Sequence, residues 1–240
     1  MQELDKLKSD FVSMVSHELR TPLALIRMFA ETLEMKRVKT EKKKQEYYSI
    51  ILQETERLSR LINNILNFSR MEAEKKQYHF EPIALNEVVT GVLNTYTSHL
   101  EHEGFTTSTE LAENLPIIQA DREAIAEALI NILDNAIKYS TADKHVKIKT
   151  GQTISMNFVE VEDHGIGIDK QHHKKIFETF YRVSTGLTNN IKGSGLGLSL
   201  VSHIMNAHGG MVELESEPGK GSTFRLLFPI VNRSDSTHKG

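Results

Sequence analysis

The chain has 240 residues, enough for one large domain or two modest ones that each bury a core. A formal net charge of -3 argues against a non-specific nucleic-acid binder, and Cys 0 leaves no disulfide framework or thiolate metal site. The longest apolar runs fall far short of the roughly 20 residues a membrane helix needs, and the charged, amphipathic N-terminus does not read as a signal peptide.

Leu4, Leu7, Phe11 and Met14 follow a three-four spacing, the seam of a helix packing on another helix. The same register carries Glu18, Thr21, Leu25, Met28, Thr32 and Met35 near the seam and puts His17 beside it. Pro22 is expected to bend this helix, because it removes one backbone donor and crowds the carbonyl four residues earlier. Lys36 to Lys44 reads as a loop or frayed end. A second helix follows, with apolar positions from Ile50 to Phe68. Two helices with one stripe each bury little as an isolated hairpin, which predicts dimerisation into a four-helix bundle.

Near residues 72 to 77 the pattern changes, and the domain boundary is placed there: 1–74, then 75–232, then a polar tail 233–240. Tyr78-His79-Phe80 alternates like a strand, and Asn86 is a candidate cap for a helix reaching about residue 102. Phe105 to Leu111 and Ile117 to Ala120 read as short strands. Asp121 caps a strongly periodic helix ending near Tyr139. Val146 to Thr150 and Ile154 to Val161 read as a hairpin around Gly151, and two further helices and a strand pair complete the domain. Without regular βαβ alternation the fold class is α+β: a helical hairpin followed by an α/β sandwich.

Several positions carry chemistry. Asp163-His164-Gly165-Ile166-Gly167 follows a strand, where an Asp can accept from an exocyclic amine and glycines let backbone approach a flat ligand. An Asp-Gly turn gives much the same pattern. Gly193, Ser194, Gly195, Leu196 and Gly197 precede a helix, so their unpaired amides and the positive helix end suit polyphosphate, unless the run is simply a loop. The glycine spacing is not G-x-G-x-x-G. Gly219-Lys220-Gly221 lacks the Ser or Thr of a Walker loop and reads as a turn. Asn131 and Asn135 lie four apart on one helix face with Lys138 nearby, a set that can hold Mg²⁺ and offset phosphate charge or serve as a polar core. Arg182 is either a phosphate clamp or a surface arginine. His17-Glu18 is not a zinc-protease motif, since Thr21 stands where the second His is required. His172 and His173 are adjacent, an unlikely chelating geometry, and read as surface residues.

Taken together, Ser16-His17-Glu18-Leu19-Arg20-Thr21-Pro22-Leu23 resembles the phosphoacceptor box of two-component sensor histidine kinases. Asn131 to Ser140, Asp163 to Gly167, Phe177 to Arg182 and Gly193 to Gly197 resemble that family's nucleotide boxes, in the family's order. The resemblance implies a homodimeric four-helix bundle and an ATP-binding domain of the type shared with DNA gyrase and MutL. His17 would be the phosphorylated residue, and Glu18 would orient its ring and accept its proton. Thr21 would help place water for dephosphorylation of a partner. It further implies ATP and Mg²⁺ as cofactors: Asn135 and Asn131 on the metal, Lys138 and Arg182 on phosphates, and Tyr139 lining the site. Asp163 would read the adenine amine, Gly165 and Gly167 would shape its pocket, and Gly193, Gly195 and Gly197 would form a lid. The implied partner is a response-regulator receiver domain, with no nucleic acid and no membrane contact by this fragment. The implied location is cytoplasmic, as part of a membrane-anchored sensor. The rival expectation is a gyrase-type clamp driven by ATP.

Overall fold

In a computed structural model of the chain, the described residues are 2–72, 77–140, 143–183 and 195–230. Within the first helices only the backbone is described for 2–12, 14, 17, 60, 64 and 67–72. The chain divides into two compact units, Met1–Lys76 with Lys192–Leu196, and Gln77–Ile191 with Gly197–Gly240.

The first unit is a pair of long helices, α1 (Gln2–Glu34) and α2 (Glu41–Glu72). They run antiparallel. Phe29 packs at a tilt against Tyr47 with ring centroids 4.7 Å apart, and stepping back along α1 to Glu18 steps forward along α2 to Arg57. The reversal is a Schellman motif with Lys36 at a φ of 53°: Arg37 N donates to Thr32 O at 3.3 Å and Lys36 N to Leu33 O at 3.0 Å. Val38 is buried beneath it.

One expectation is corrected here, and Pro22 lies inside a helix that continues past it, although a proline removes one rung of its ladder. The lysine stretch is not all loop, because α2 begins at Glu41; Lys42 to Lys44 are good helix formers even without an apolar stripe. The seam positions Leu4, Leu7, Phe11 and Met14 lie outside the described side chains. Farther along, Met28 and Met35 are exposed, as are Leu23 (59%) and Leu52 (63%).

The second unit opens with β1 (Glu81–Ile83), which pairs antiparallel with β3 (Ile118–Ala120). The main sheet contains β2 (Thr106–Glu110), β4 (His145–Gln152), β5 (Met156–Asp163), β6 (Met211–Glu217) and β7 (Gly221–Pro229). Their order is β2-β4-β5-β7-β6. Only β2 and β4 are parallel, so the sheet is mixed. Three helices pack on it: α3 (Leu85–His102), α4 (Arg122–Tyr139) and α5 (Gly197–Ala207).

Strand alternation explains the layering. In β5, Val159 and Val161 are buried while Glu160 and Glu162 point the other way, and β7 buries Phe224, Leu226 and Phe228. Each such side chain contributes about 1.5–3 kcal/mol on leaving water. The outward row is charged, with Arg225 bonded to Glu160 and to Glu213, the latter at 3.0 Å. The product is a helical region followed by a two-layer α/β domain.

Local differences from expectation have identifiable causes. Asn86 does not cap α3. Ala84 holds that position, and the Asn86 amide instead donates to Ala112 O and accepts from Thr150 Oγ1, both at 2.8 Å. The hairpin turns at Thr153–Ser155 rather than at Gly151, which is paired with Phe158 inside β4. Tyr78 to Phe80 precede the strand instead of forming it. Of the two further helices, one is α5; the other is replaced by two 3₁₀ turns, Lys170–His172 and Lys175–Phe177. No described helix is long and apolar enough to cross a membrane.

Candidate nucleotide and phosphoacceptor sites

In the second unit the site starts from α4. Asp121 caps it, accepting from Ala124 N at 3.0 Å, which fixes the phase of the helix and so the face shared by Asn131 and Asn135. The buried Asn131 amide donates to Glu127 O at 2.8 Å, leaving its Oδ1 turned toward Gly197. A Cβ on Gly197 would stand 2.9 Å from that oxygen, so the bare glycine lets α5 begin against α4. Asn135 Nδ2 is buried without a hydrogen-bond partner. Lys138 Nζ lies 5.2 Å from the centre of the Tyr139 ring. Burial raises the Tyr139 phenol above its ordinary value, and the positive charge of Arg182 pulls it partly back. Arg182 is itself exposed.

Asp163 ends the central strand β5 and is 6% exposed. Its Oδ1 accepts from Gly165 N at 2.8 Å. Burial pushes the carboxyl up to about 6, against main-chain N–H bonds from Gly165 and Ser222 that favour the charged form. The loop after it is pinned from both sides. Ile166 N donates to Tyr139 O at 3.0 Å, and Gly219 N donates to Ile166 O at 2.7 Å. Gly167 has a φ of 67°, and a Cβ there would fall 1.9 Å from Glu217 O; only glycine fits. A Cβ on Gly165 would meet Tyr139 O and Asp163 Oδ1, each at 2.7 Å. Asp163, Gly165, Gly167 and Tyr139 therefore converge at one end of the sheet.

Sequence reasoning missed Ser222 and Ser216. Ser222 is the register partner of Asp163 across β7, and Ser216 Oγ accepts from Ile168 N at 2.8 Å while lying 3.0 Å from Ser222 Oγ. Their only signal was the Gly219 to Ser222 turn, which places the β6–β7 hairpin beneath the Asp163 loop. His172 and His173 are half-buried rather than on the surface, bonded to Tyr181 Oη at 2.7 Å and Ile168 O at 3.0 Å. His164 pairs with Asp143 at 2.6 Å, which holds its imidazole above the ordinary value.

In the first unit, His17, Glu18 and Thr21 all belong to α1. The His17 side chain lies outside the described residues. Thr21 is half-buried. Glu18 Oε2 is 3.5 Å from Arg57 Nη2, and Arg57 Nη1 is 3.6 Å from Glu54 Oε2. Gly193 falls outside the described residues, and Gly195 has a φ of 69°.

The residues present fit a nucleotide with its metal. The orphaned Asn135 amide donor calls for an acceptor such as a phosphate oxygen, and the Asn131 and Asn135 carbonyl oxygens are hard donors of the kind Mg²⁺ prefers. Among the described residues no cluster of His, Asp and Glu could hold a metal by itself.

The fold and these residues define an ATPase-type domain joined in one chain to a helical pair. Residues 120–232 match the family described as histidine kinase-, DNA gyrase B- and HSP90-like ATPase. Residues 7–74 match the His kinase A phospho-acceptor domain. The sensor protein RprX of Bacteroides fragilis is 32% identical over 233 residues, 96% of this chain and 45% of that protein. The sensor protein kinase WalK of Staphylococcus aureus is 33% identical over 234 residues, 95% of this chain and 38% of WalK. The solved histidine kinase ThkA, in complex with the response regulator protein TrrA, superposes with a TM-score of 0.64 at 24% identity. That match covers 96% of this chain and 64% of ThkA. The chain belongs to the histidine kinase family and carries its catalytic core. It spans between 38% and 55% of the length of the first curated relatives it matches.

Proposed function

We propose that the chain phosphorylates itself on His17 from ATP and then passes the phosphoryl group to an Asp of a response-regulator receiver domain. The observation that carries this reading is the joining, in one chain, of a phosphoacceptor helix pair at 7–74 and an ATPase domain at 120–232. Residues 1–74 are the dimerisation and acceptor domain, 75–232 the catalytic domain, and 233–240 a tail.

In the proposed step a free lone pair on the His17 ring attacks the γ-phosphorus. A nitrogen–phosphorus bond forms, the bond to the bridging oxygen breaks, and ADP leaves with that electron pair. Glu18 holds the proton of the opposite ring nitrogen, fixing the tautomer that attacks, and takes up the charge the ring develops. Asp163 accepts from the adenine amine, with Gly165, Gly167 and Tyr139 shaping the pocket around it. Lys138 and Arg182 offset phosphate charge in a loose transition state, where positioning and electrostatics supply most of the acceleration. Mg²⁺, held by Asn135 and Asn131, supplies further charge neutralisation when bound. Gly193, Gly195 and Gly197 serve as the lid.

Two kinds of partner follow. The exposed Leu23, Met28, Leu52, Ile62 and Leu66 on the helix pair support a homodimer that buries them in a four-helix bundle. A response-regulator partner is supported by the similar ThkA, which was solved in complex with the response regulator protein TrrA. Thr21 within the acceptor box supports regulator dephosphorylation as a second activity. We place the chain as the cytoplasmic portion of a membrane sensor. The gyrase-type clamp is not favoured, because a clamp has no use for the phosphoacceptor domain at 7–74.

The test is incubation with γ-labelled ATP and Mg²⁺, then acid and alkali treatment. Label that is lost in acid, kept in alkali and absent from His17→Ala supports the autokinase, and His17→Ala keeps its ATP affinity. Released phosphate without labelled protein would overturn it.

A further inference from the structure

We infer that Arg57 is a positioning residue for the phosphoacceptor: its guanidinium, reaching across the hairpin from α2, sets the carboxylate of Glu18 and through it the His17 ring. The inference rests on the autokinase reading for its consequence, but on geometry for its substance. Glu18 and Glu54 are only 14% and 16% exposed, so water hydrates both carboxylates poorly. Glu54 Oε2 is buried with no hydrogen bond. One guanidinium stands between them, with Nη2 at 3.5 Å from Glu18 and Nη1 at 3.6 Å from Glu54.

Two half-buried anions on facing helices repel unless a cation sits between them. Arg suits that place because its fork is planar, permanently charged and able to meet two carboxylates at once. Arg57 is itself 37% exposed, so its stem lies along the helix pair while its head stays within reach of water. Without it, Glu18 would swing toward solvent to escape Glu54 and lose its set orientation next to His17. On the autokinase reading Glu18 holds the proton of one His17 ring nitrogen, so a displaced carboxylate would shift the balance of ring tautomers.

The test uses the full chain as wild type, Arg57→Ala, Arg57→Lys, Glu18→Gln and the double variant Arg57→Ala/Glu18→Gln. With labelled ATP, Arg57→Ala should slow His17 labelling at saturating ATP by about 100-fold, the scale of a misplaced catalytic group. ATP half-saturation should stay within about twofold, since Arg57 touches no proposed nucleotide residue. Arg57→Lys should recover part of the rate. The double variant should be no slower than Glu18→Gln alone. A wild-type rate in Arg57→Ala, or slowing that adds to that of Glu18→Gln, would overturn the inference.

A second readout needs no turnover: the ¹⁵N shifts of the His17 ring. Wild type and Arg57→Lys should keep one tautomer, while Arg57→Ala and Glu18→Gln should both drift toward a mixture. If the wild type takes no label, the autokinase reading falls and the ring shifts still decide Arg57. Unchanged shifts in Arg57→Ala would then sink the positioning role.

Discussion

The buried ring of His208 accepts a hydrogen bond from the main-chain N–H of Asp121 at 2.9 Å. Its other nitrogen, Nδ1, donates to Ile204 O at 2.7 Å, which settles the tautomer. Asp121 in turn caps α4 and accepts from His79 N at 2.8 Å. One ring thus ties the tail of α5 to the head of α4, and both helices carry residues of the proposed nucleotide face. Tyr78 meets it edge to face and Phe80 packs against it at a tilt, at centroid distances of 5.2 and 4.8 Å.

His208→Ala should therefore destabilise the second unit by about 2–4 kcal/mol, from a lost acceptor for a part-buried N–H and the cavity left behind. Urea unfolding measures it. A loss below about 1 kcal/mol would mean the joint is not used.

Asp163→Asn should behave oppositely on stability and on binding. The folded carboxyl sits at about 6 against an ordinary 3.8, so the fold holds this proton more tightly than the unfolded chain does. That stabilisation is complete below about pH 4 and lost as pH rises through about 6. Asparagine escapes the loss. Free of nucleotide at neutral pH, the variant should be more stable by about 2–3 kcal/mol, with the gap closing toward about pH 4. It should also lose the melting shift that ATP gives the wild type. Melts across pH with and without ATP test both halves, and a wild type as stable as the variant at neutral pH would contradict this account.

Gly167→Ala forces a methyl to within 1.9 Å of a main-chain oxygen that cannot move alone. We expect a cost of about 2–4 kcal/mol, with nucleotide binding lost in parallel. Thermal melts and calorimetric titration report the two effects.

Gly197→Ala is the contrasting case. Its new methyl meets Asn131 Oδ1, the movable end of a side chain, at 2.9 Å. Stability should change by less than about 1 kcal/mol while ATP affinity falls about tenfold, because Asn131 must turn away from the site. Titration calorimetry separates this outcome from a folding defect.

Much of the fold was legible because its periods are strong. The α4 helix announces itself by Asp121 at the cap and by buried Ile125, Leu129 and Ile132 at four-three spacing. The Asp163, Gly165 and Gly167 run and Tyr139 come from separate motifs that the fold brings together at the end of β5. What stayed hidden was decided by tertiary contact. Asn86 looks like a cap until Thr150 and Ala112 supply better partners from distant strands. Gly151 looks like a turn until Phe158 lies across from it. Arg57 carries no local signal and Ser222 only that of its turn, since each matters through a partner elsewhere in the chain.

The β5 strand has one further consequence. Its backbone is bonded on one side by β4 and on the other by β7, from Asn157 through Asp163. Amide exchange should accordingly be slowest there and faster at β2 and β6, the strands on the rims. The acid assigned to the adenine amine thus grows from the last stretch of the sheet to open, so partial unfolding at the rims leaves its anchor intact.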